Sequence, residues 1–113
     1  MKKAVIKAVA SYLPEQVLTN DALAKAFPEW SVDKIYSKTG IHSRHIAAPD
    51  EAVSDMAIVA ARTLFQDSGV EPEDIDFILL CTQSPDYPLP TTACVIQAKL
   101  GCRHDVGALD LIW

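Results

Sequence analysis

Three cysteines, Cys81, Cys94 and Cys102, are the strongest nucleophile candidates in this sequence. They are odd in number and lack CxxC spacing, so neither a disulfide framework nor a zinc site is well supported. Cys81 lies in the most apolar stretch of the chain, where burial would raise the pKa of the thiol and suppress its reactivity. A buried free cysteine behaves as a small apolar side chain, so we predict that all three thiols are structural. Because a disulfide framework is poorly supported, we also predict a cytoplasmic protein with reduced thiols.

The histidines give little support to a metal centre. His42 and His45 lie three residues apart in the extended stretch IHSRHIA, so in a strand they would point to opposite faces. His104 could activate a thiolate, but nothing in the sequence places it beside one. The motifs GxGxxG, HExxH and GxSxG and the P-loop are all absent. We therefore predict no metal site.

Basic side chains surround Thr39 and Gly40 along the chain. The members of this basic cluster are Lys34, Lys38, Arg44 and His45. A phosphate-bearing ligand is one interpretation of the cluster, and a solvated loop is the other. Composition alone favours the solvated loop, because charge runs usually face water.

Composition excludes several broad classes of protein. The 113 residues are half hydrophobic and 22% charged, which is typical of a globular domain. The net charge of −5 argues against a general nucleic-acid binder. No stretch approaches the roughly 20 apolar residues that a membrane helix needs. The start, MKKAVI, has no long apolar region and is interpreted as a first strand rather than a signal peptide.

Apolar periodicity and cap signals predict the elements that position these residues. In order, we expect a strand at 3–10, a loop at 11–20, helices at 21–27 and 32–38, an extended piece at 41–47, a long helix at 55–69, a strand at 75–84, a helix at 91–101 and a closing strand at 105–113. The expected helix caps are Thr19 or Asn20, Ser31, Ser54, and Thr91 or Thr92. Pro28, Gly40, Gly69 and Gly101 are the expected stops.

The order of these elements predicts an α/β fold. From residue 54 onward it is helix, strand, helix, strand, and residues 76–113 have the length of one βαβ crossover. Two crossovers with apolar strands indicate a parallel sheet with helices on both faces. Residues 11–50 hold only short elements, so we interpret them as an insertion after the first strand.

Four stretches together resemble one known family. They are SYLPEQVLTNDAL, KTGIHSRHIAAPDEAVSDMA, SPDYPLPTTACVIQAKLG and GALDL. In this order they resemble the ketoacyl synthase III family, the initiating condensing enzymes of bacterial type II fatty acid synthesis. The resemblance implies the thiolase fold, of which residues 1–113 would be the incomplete N-terminal βαβαβ part of a five-layer αβαβα sandwich. It also implies a homodimer.

The resemblance further implies a reaction whose catalytic residues lie outside this chain. In the family, the strand similar to GALDLIW leads into a turn with the nucleophilic cysteine, expected two residues after Trp113. That cysteine takes an acyl group from acyl-CoA, and the carbanion from decarboxylated malonyl-acyl carrier protein then attacks the thioester. The expected partners are thus acyl-CoA, malonyl-acyl carrier protein and a second copy, with no nucleic acid or membrane. No cofactor is implied beyond the CoA thioester substrate.

Four residues of this chain match substrate-binding positions of the family. Lys34, Lys38 and Thr39 match the segment that lines the mouth of the CoA tunnel. Lys34 stands where several members carry a tryptophan that stacks on adenine, and Trp30, four residues earlier, is a candidate replacement. Leu89 matches a position, often phenylalanine, that reaches across the dimer to close the partner's acyl pocket.

Two alternatives stay open at this point. The departures at Lys34 and Leu89 motivate a relative that condenses other acyl groups in secondary metabolism. The termination of the sequence at Trp113 motivates a non-catalytic piece that binds a partner subunit.

Overall fold

The computed structural model describes residues 1–112, which form two compact units. One unit is Leu13–Asp50, and the other combines Met1–Tyr12 with the chain from Glu51 onward. No helix within residues 1–112 has the length and apolar character needed to cross a membrane.

The unit Leu13–Asp50 is a two-stranded hairpin-like sheet with two short helices between its strands. Strand β1 (Gln16–Thr19) leads into helix α1 (Asn20–Ala26), followed by helix α2 (Val32–Thr39) and strand β2 (Ser43–Ile46). β1 and β2 pair antiparallel, with Thr19 opposite Ser43. The prediction of a loop over 11–20 is wrong for β1, because this strand is stabilised by pairing with residues far along the chain rather than by a local signal.

Local cap signals predict both helices of this unit correctly. The Thr19 hydroxyl accepts the amide hydrogen of Ala22 at 3.2 Å, which begins α1. The Ser31 hydroxyl accepts the amide hydrogen of Lys34 at 3.2 Å, which begins α2. α2 ends at Gly40, whose φ of 67° is the left-handed conformation that glycine adopts at no steric cost.

The other unit contains a single βαβ crossover preceded by a long helix. Its elements are α3 (Val53–Ser68), a 3₁₀ turn (Pro72–Asp74), β3 (Phe77–Thr82), α4 (Thr92–Leu100) and β4 (Gly107–Ile112). β3 and β4 are parallel, with Leu79 opposite Leu109, which confirms the predicted crossover. The predicted end of the closing strand at Trp113 lies outside the described residues.

Helix α3 begins two residues before the predicted position. Its N-cap is Ala52, whose amide donates to the carboxylate of Asp55 at 2.9 Å. Ser54, predicted to cap the helix, lies inside it and is fully buried. The prediction is wrong because the carboxylate three residues into the helix satisfies the cap amide, so no cap hydroxyl is needed. Gly69 ends the helix as predicted.

The sheet is covered on one face only within residues 1–112. Exposure alternates along β3, where Phe77 and Leu79 are 60% and 59% exposed while Ile78 and Leu80 are partly buried. Leu109 and Leu111 of β4 are also exposed, at 47% and 40%. The prediction of helices on both faces is therefore wrong for the described residues. The reason is that α3 and α4 pack against each other and α4 packs on this sheet, and no other described element covers the odd-numbered positions.

The predicted first strand at 3–10 is not formed. A strand requires a ladder to a neighbour, and residues 3–10 pair with neither β3 nor β4. The apolar side chains of Val5, Ile6 and Val9 are 74%, 87% and 84% exposed. The apolar pattern that predicted a strand is present, but the pairing that would stabilise it is not. The prediction of a second crossover is therefore wrong for residues 1–112, because a crossover needs a parallel strand on each side.

Candidate functional site

The predicted substrate-binding residues fall in two different units. Lys34, Lys38 and Thr39 lie on α2, in Leu13–Asp50, whereas Leu89 lies in the loop between β3 and α4 of the other unit. The structure therefore offers two separate candidate regions, a cationic one on α2 and a loop at the carboxyl end of β3.

Lys34 is held over an aromatic ring. Its ammonium nitrogen lies 4.3 Å from the centroid of the Trp30 ring, within the range of a cation–π interaction. Trp30 is 39% exposed, and with Leu23, Phe27 and Ile35 it lines an apolar hollow of about 160 Å³. The arrangement joins a positive charge to an exposed indole, which suits a ligand that carries both an anionic group and a planar apolar one.

The end of α2 presents one charge and one internally satisfied hydroxyl. The Thr39 hydroxyl donates to the carbonyl of Ile35 at 2.8 Å and accepts the amide hydrogen of Ile41 at 3.1 Å. Both bonds of the Thr39 hydroxyl are made within the chain, and they stabilise the turn that follows α2. Lys38 is exposed in the last turn, where a positive charge complements the helix dipole. Of the two, Lys38 is the residue available to an anionic ligand.

The basic cluster does not form one cationic surface. The guanidinium of Arg44 donates to the side-chain oxygen of Asn20 at 2.9 Å. Asn20 is buried and in turn donates to the carbonyl of Ile41 at 2.7 Å. His45 bonds to the carbonyl oxygen of Pro14. Arg44 and His45 thus hold the unit together, and Lys34 and Lys38 remain as the candidate ligand-facing charges.

His42 and His45 occupy structural positions. The ring of His42 stacks on that of Tyr36 with centroids 4.1 Å apart, while His45 makes the Pro14 bond. Neither residue is near a cysteine in the sequence, and Cys81, Cys94 and Cys102 all belong to the other unit.

The three cysteines differ in exposure. Cys102 is buried, and burial raises the pKa of its thiol, with a further contribution from the negative charge of Glu73. Cys94 is exposed, and its sulfur accepts a hydrogen bond from the Thr91 hydroxyl at 3.1 Å. Cys81 is also exposed, so its predicted burial is wrong, because odd-numbered positions of β3 face the uncovered side of the sheet.

Leu89 stands in the loop that follows β3, and its side chain is 80% exposed. The loop, residues 83–91, leaves the carboxyl end of β3, and the next residue begins α4. In parallel sheets, ligands bind beyond the carboxyl ends of the strands. Leu89 therefore lies on the side of this unit where a substrate is expected.

Asp86 and Asp110, which the sequence analysis did not single out, organise this end of the sheet. The Asp86 carboxylate accepts the amide hydrogen of Ser54 in α3 at 3.1 Å, and the Asp86 amide donates to the Thr92 hydroxyl at 3.1 Å. The Asp110 carboxylate accepts the amide hydrogens of Thr92 and Ala93, both at 2.7 Å. The available signal was an acidic residue within an otherwise apolar strand, GALDLI, since such a side chain needs donors.

Comparison with known proteins gives a consistent result. No family model matches the chain. The chain is 45% identical over 106 residues to beta-ketoacyl-[acyl-carrier-protein] synthase III of Xanthomonas oryzae, covering 94% of this chain and 32% of that protein. A crystal structure of a 3-oxoacyl-(acyl-carrier-protein) synthase III is 52% identical, with a TM-score of 0.85, over 96% of this chain and 32% of the other.

A relative from another pathway also has this fold. The priming beta-ketosynthase of the R1128 polyketide biosynthetic pathway is 30% identical, with a TM-score of 0.84, over 96% of this chain and 32% of that enzyme. The chain spans about one third of the length of each of these three relatives.

Proposed function

Because this chain corresponds in sequence and in its thiolase-like α/β fold to a third of a ketoacyl synthase III, we propose that it is the N-terminal part of such a condensing enzyme. The predicted family resemblance and fold class are confirmed by the similarity, which covers 94% or more of the chain. The identity of 45% over 106 residues is the observation that carries the proposal.

The proposed reaction is a decarboxylative Claisen condensation in two stages. A cysteine just beyond Trp113 attacks the thioester carbon of acyl-CoA, and CoA leaves as its thiol. Malonyl-acyl carrier protein then loses carbon dioxide, and its carbanion attacks the acyl-cysteine to give the 3-ketoacyl product and the free thiolate. A helix N-terminus at that cysteine would stabilise the thiolate and direct amides at the carbonyl oxygen. Carbon–carbon bond formation thus depends on residues outside this chain.

In this proposal, residues 1–113 bind the acyl-CoA substrate and line part of its pocket. Lys38 faces the phosphates of CoA, with Lys34 as a second charge and Trp30 as a ring for the adenine, while Thr39 shapes the turn beside them. Leu89 closes the acyl pocket of the partner in a homodimer. The CoA thioester arrives as substrate, and neither a metal nor another cofactor is needed. We place this activity in the cytoplasm, in fatty acid synthesis.

The test uses the full-length protein that contains residues 1–113. Incubation with labelled acetyl-CoA should label the cysteine beyond Trp113, and addition of malonyl-acyl carrier protein should release a labelled 3-ketoacyl product. Residues 1–113 expressed alone provide the matched control, in which Cys81, Cys94 and Cys102 should take no label. Label on those cysteines, or no product from the full-length protein, would contradict the proposal.

A second candidate is a relative that primes another pathway. The 30% identity to a polyketide priming enzyme and the leucine at position 89, where phenylalanine is frequent in the family, both favour it. The two candidates differ in the acyl group, so a panel of acyl-CoA primers of increasing length separates them. A preference for acetyl-CoA supports fatty acid synthesis, and a preference for a longer or branched primer supports the second candidate. If the full-length protein is inert toward every primer, the result favours the remaining alternative, a non-catalytic protein that binds a partner subunit.

A further inference from the structure

We propose that Asp86 is a positioning residue that sets how far Leu89 reaches and thereby sets acyl-chain preference. This inference rests on the proposed function, in which Leu89 closes an acyl pocket. It concerns Asp86, three residues before Leu89, and the bonds that tie this part of the loop to the two helices.

Asp86 is the one hydrogen-bonded anchor in the middle of the loop. Across Pro85–Pro90, a stretch that is described without gaps, no other residue makes a hydrogen bond. Tyr87 and Leu89 are 57% and 80% exposed, so packing does not hold them either. The position of Leu89 therefore depends on the Asp86 anchor three residues before it and on the beginning of α4 three residues after it.

Both partners of Asp86 belong to rigid parts of the unit. Ser54 lies in the first turn of α3 and Thr92 is the first residue of α4, and both are fully buried. The Asp86 carboxylate bonds to the Ser54 amide, and the Asp86 amide bonds to the Thr92 hydroxyl. One residue thus ties the loop to the beginnings of two helices at once.

Proline transmits this anchoring to Leu89. Pro88 and Pro90 flank Leu89, and their rings restrict φ to about −65°. Because Pro88 lies between Asp86 and Leu89 and fixes one of the few torsions that separate them, we expect a displacement at Asp86 to move Leu89 with it. A small misplacement of a group that contacts a substrate has a large effect on discrimination.

The variants separate anchoring from general stability. Asp86→Ala removes the carboxylate and leaves the Ser54 amide without its acceptor. Asp86→Asn keeps a side-chain oxygen that can accept this hydrogen, so it should restore the anchor. Asp55→Ala is the matched control, because Asp55 caps the same helix at the Ala52 amide without a bond to the loop. If the alanine variant does not fold, Asp86→Glu is the second test variant. Its side chain keeps the carboxylate acceptor but is longer by one methylene, which displaces the loop from the Ser54 amide.

The measurement is made on the full-length protein with acetyl-CoA and octanoyl-CoA as primers. In Asp86→Ala the ratio of kcat/KM values for the two primers should change by about tenfold toward the longer primer. Asp86→Asn and Asp55→Ala should keep the wild-type ratio, even though Asp55→Ala lowers the melting temperature. Hydrogen exchange of residues 83–91 should accelerate in Asp86→Ala and stay as in wild type in Asp55→Ala.

Leu89→Phe is measured in parallel. It distinguishes an error in the positioning role of Asp86 from an error in the placement of Leu89 at the acyl pocket. If Leu89→Phe changes the primer ratio and neither Asp86→Ala nor Asp86→Glu does, the positioning role is wrong and the proposed function stands. If Leu89→Phe leaves the ratio unchanged, the acyl placement of Leu89 is wrong, and the inference falls with it. Equal losses for both primers in Asp86→Ala and Asp55→Ala would show a purely structural role and would also overturn it.

Discussion

Asp110 caps helix α4 from a different element, because its carboxylate in β4 accepts the amide hydrogen of Thr92 at 2.7 Å. Its second oxygen accepts the amide hydrogen of Ala93 at the same distance. The residue in the local cap position, Thr91, makes no cap bond, and its hydroxyl donates to the sulfur of Cys94 instead. The beginning of α4 therefore depends on a strand that follows it in the sequence.

This arrangement predicts a large stability effect at Asp110. Asp110→Ala should lower the free energy of unfolding by about 2–3 kcal/mol, because two amides lose a charged acceptor. Denaturant unfolding of the full-length protein measures the change. Thr91→Ala, at the local cap position, should cost less than about 0.5 kcal/mol. If both substitutions lower the free energy of unfolding equally, the cap from Asp110 does not stabilise α4 more than the local cap position does, and the prediction is wrong.

The Asp55 cap predicts a specific pH dependence. The bond from the Ala52 amide, followed by the charge of Lys99, lowers the pKa of Asp55 below 3.8. Since the folded pKa is depressed, the stabilisation is present above pH 3.8 and is lost as the pH falls through the lower folded value. The stability difference between wild type and Asp55→Asn should therefore shrink with acidification below about pH 4. A difference that is constant from pH 6 to pH 2 would contradict this prediction.

Lys38→Ala should weaken acyl-CoA binding in the full-length enzyme. We expect the KM for acyl-CoA to rise about two- to fivefold, the effect of an exposed charge contact worth less than about 1 kcal/mol. Malonyl decarboxylation should change little, because Lys38 contacts only the donor in the proposed site. Lys25→Ala, on α1, is the control with the same loss of charge. An unchanged KM would mean that the end of α2 is a solvated surface.

Leu89→Phe should narrow the acyl pocket and shift preference toward acetyl-CoA. The cost to longer primers should be about 1–3 kcal/mol, the range for a methylene-scale clash in a pocket. The kcat/KM values for a series of acyl-CoA primers measure it. Tyr87→Phe alters the same exposed loop without adding bulk and should keep the wild-type profile. If both variants behave alike, Leu89 does not line the pocket.

Residues 1–113 expressed alone should be aggregated or molten. Phe77, Leu79, Leu109 and Leu111 form an uncovered apolar face, and a hollow of about 280 Å³ lies among the side chains of α3, β3 and α4. Such a face favours association over a stable monomer. Size-exclusion chromatography and thermal unfolding test this, with the full-length protein as control. A monodisperse monomer with a sharp cooperative transition would contradict the expectation.

Local signals predicted the helices better than the sheet. Ser31 and Gly40 mark the ends of α2 in the sequence, because both caps of this helix are made by neighbouring residues. Strand pairing depends on distant partners, so β1 was missed and a strand at 3–10 was predicted without one. The apolar run of β3 was interpreted as covered on both faces, although exposure alternates along it. A continuous apolar run predicts cover on both faces of a strand, but it does not identify the elements that provide this cover.

The candidate site was predictable only in part. Lys34, Lys38, Thr39 and Leu89 came from resemblance, and their roles stay a prediction. The contact of Lys34 with Trp30 follows from a spacing of four residues, which the sequence does contain. The carboxylates of Asp86 and Asp110 accept hydrogen bonds from residues 17 to 32 positions away, and no local pattern reveals such partners.

The double cap by Asp110 also protects the sheet against strand slippage during folding. A slip of β4 by one residue would turn the carboxylate to the opposite face of the sheet. A slip by two residues keeps the face but moves the carboxylate about 6.6 Å along the strand, beyond hydrogen-bonding distance of Thr92 and Ala93. Each misaligned pairing would thus leave α4 uncapped and a carboxylate without donors. The alignment in which Asp110 lies opposite Leu80 is the one that avoids both penalties.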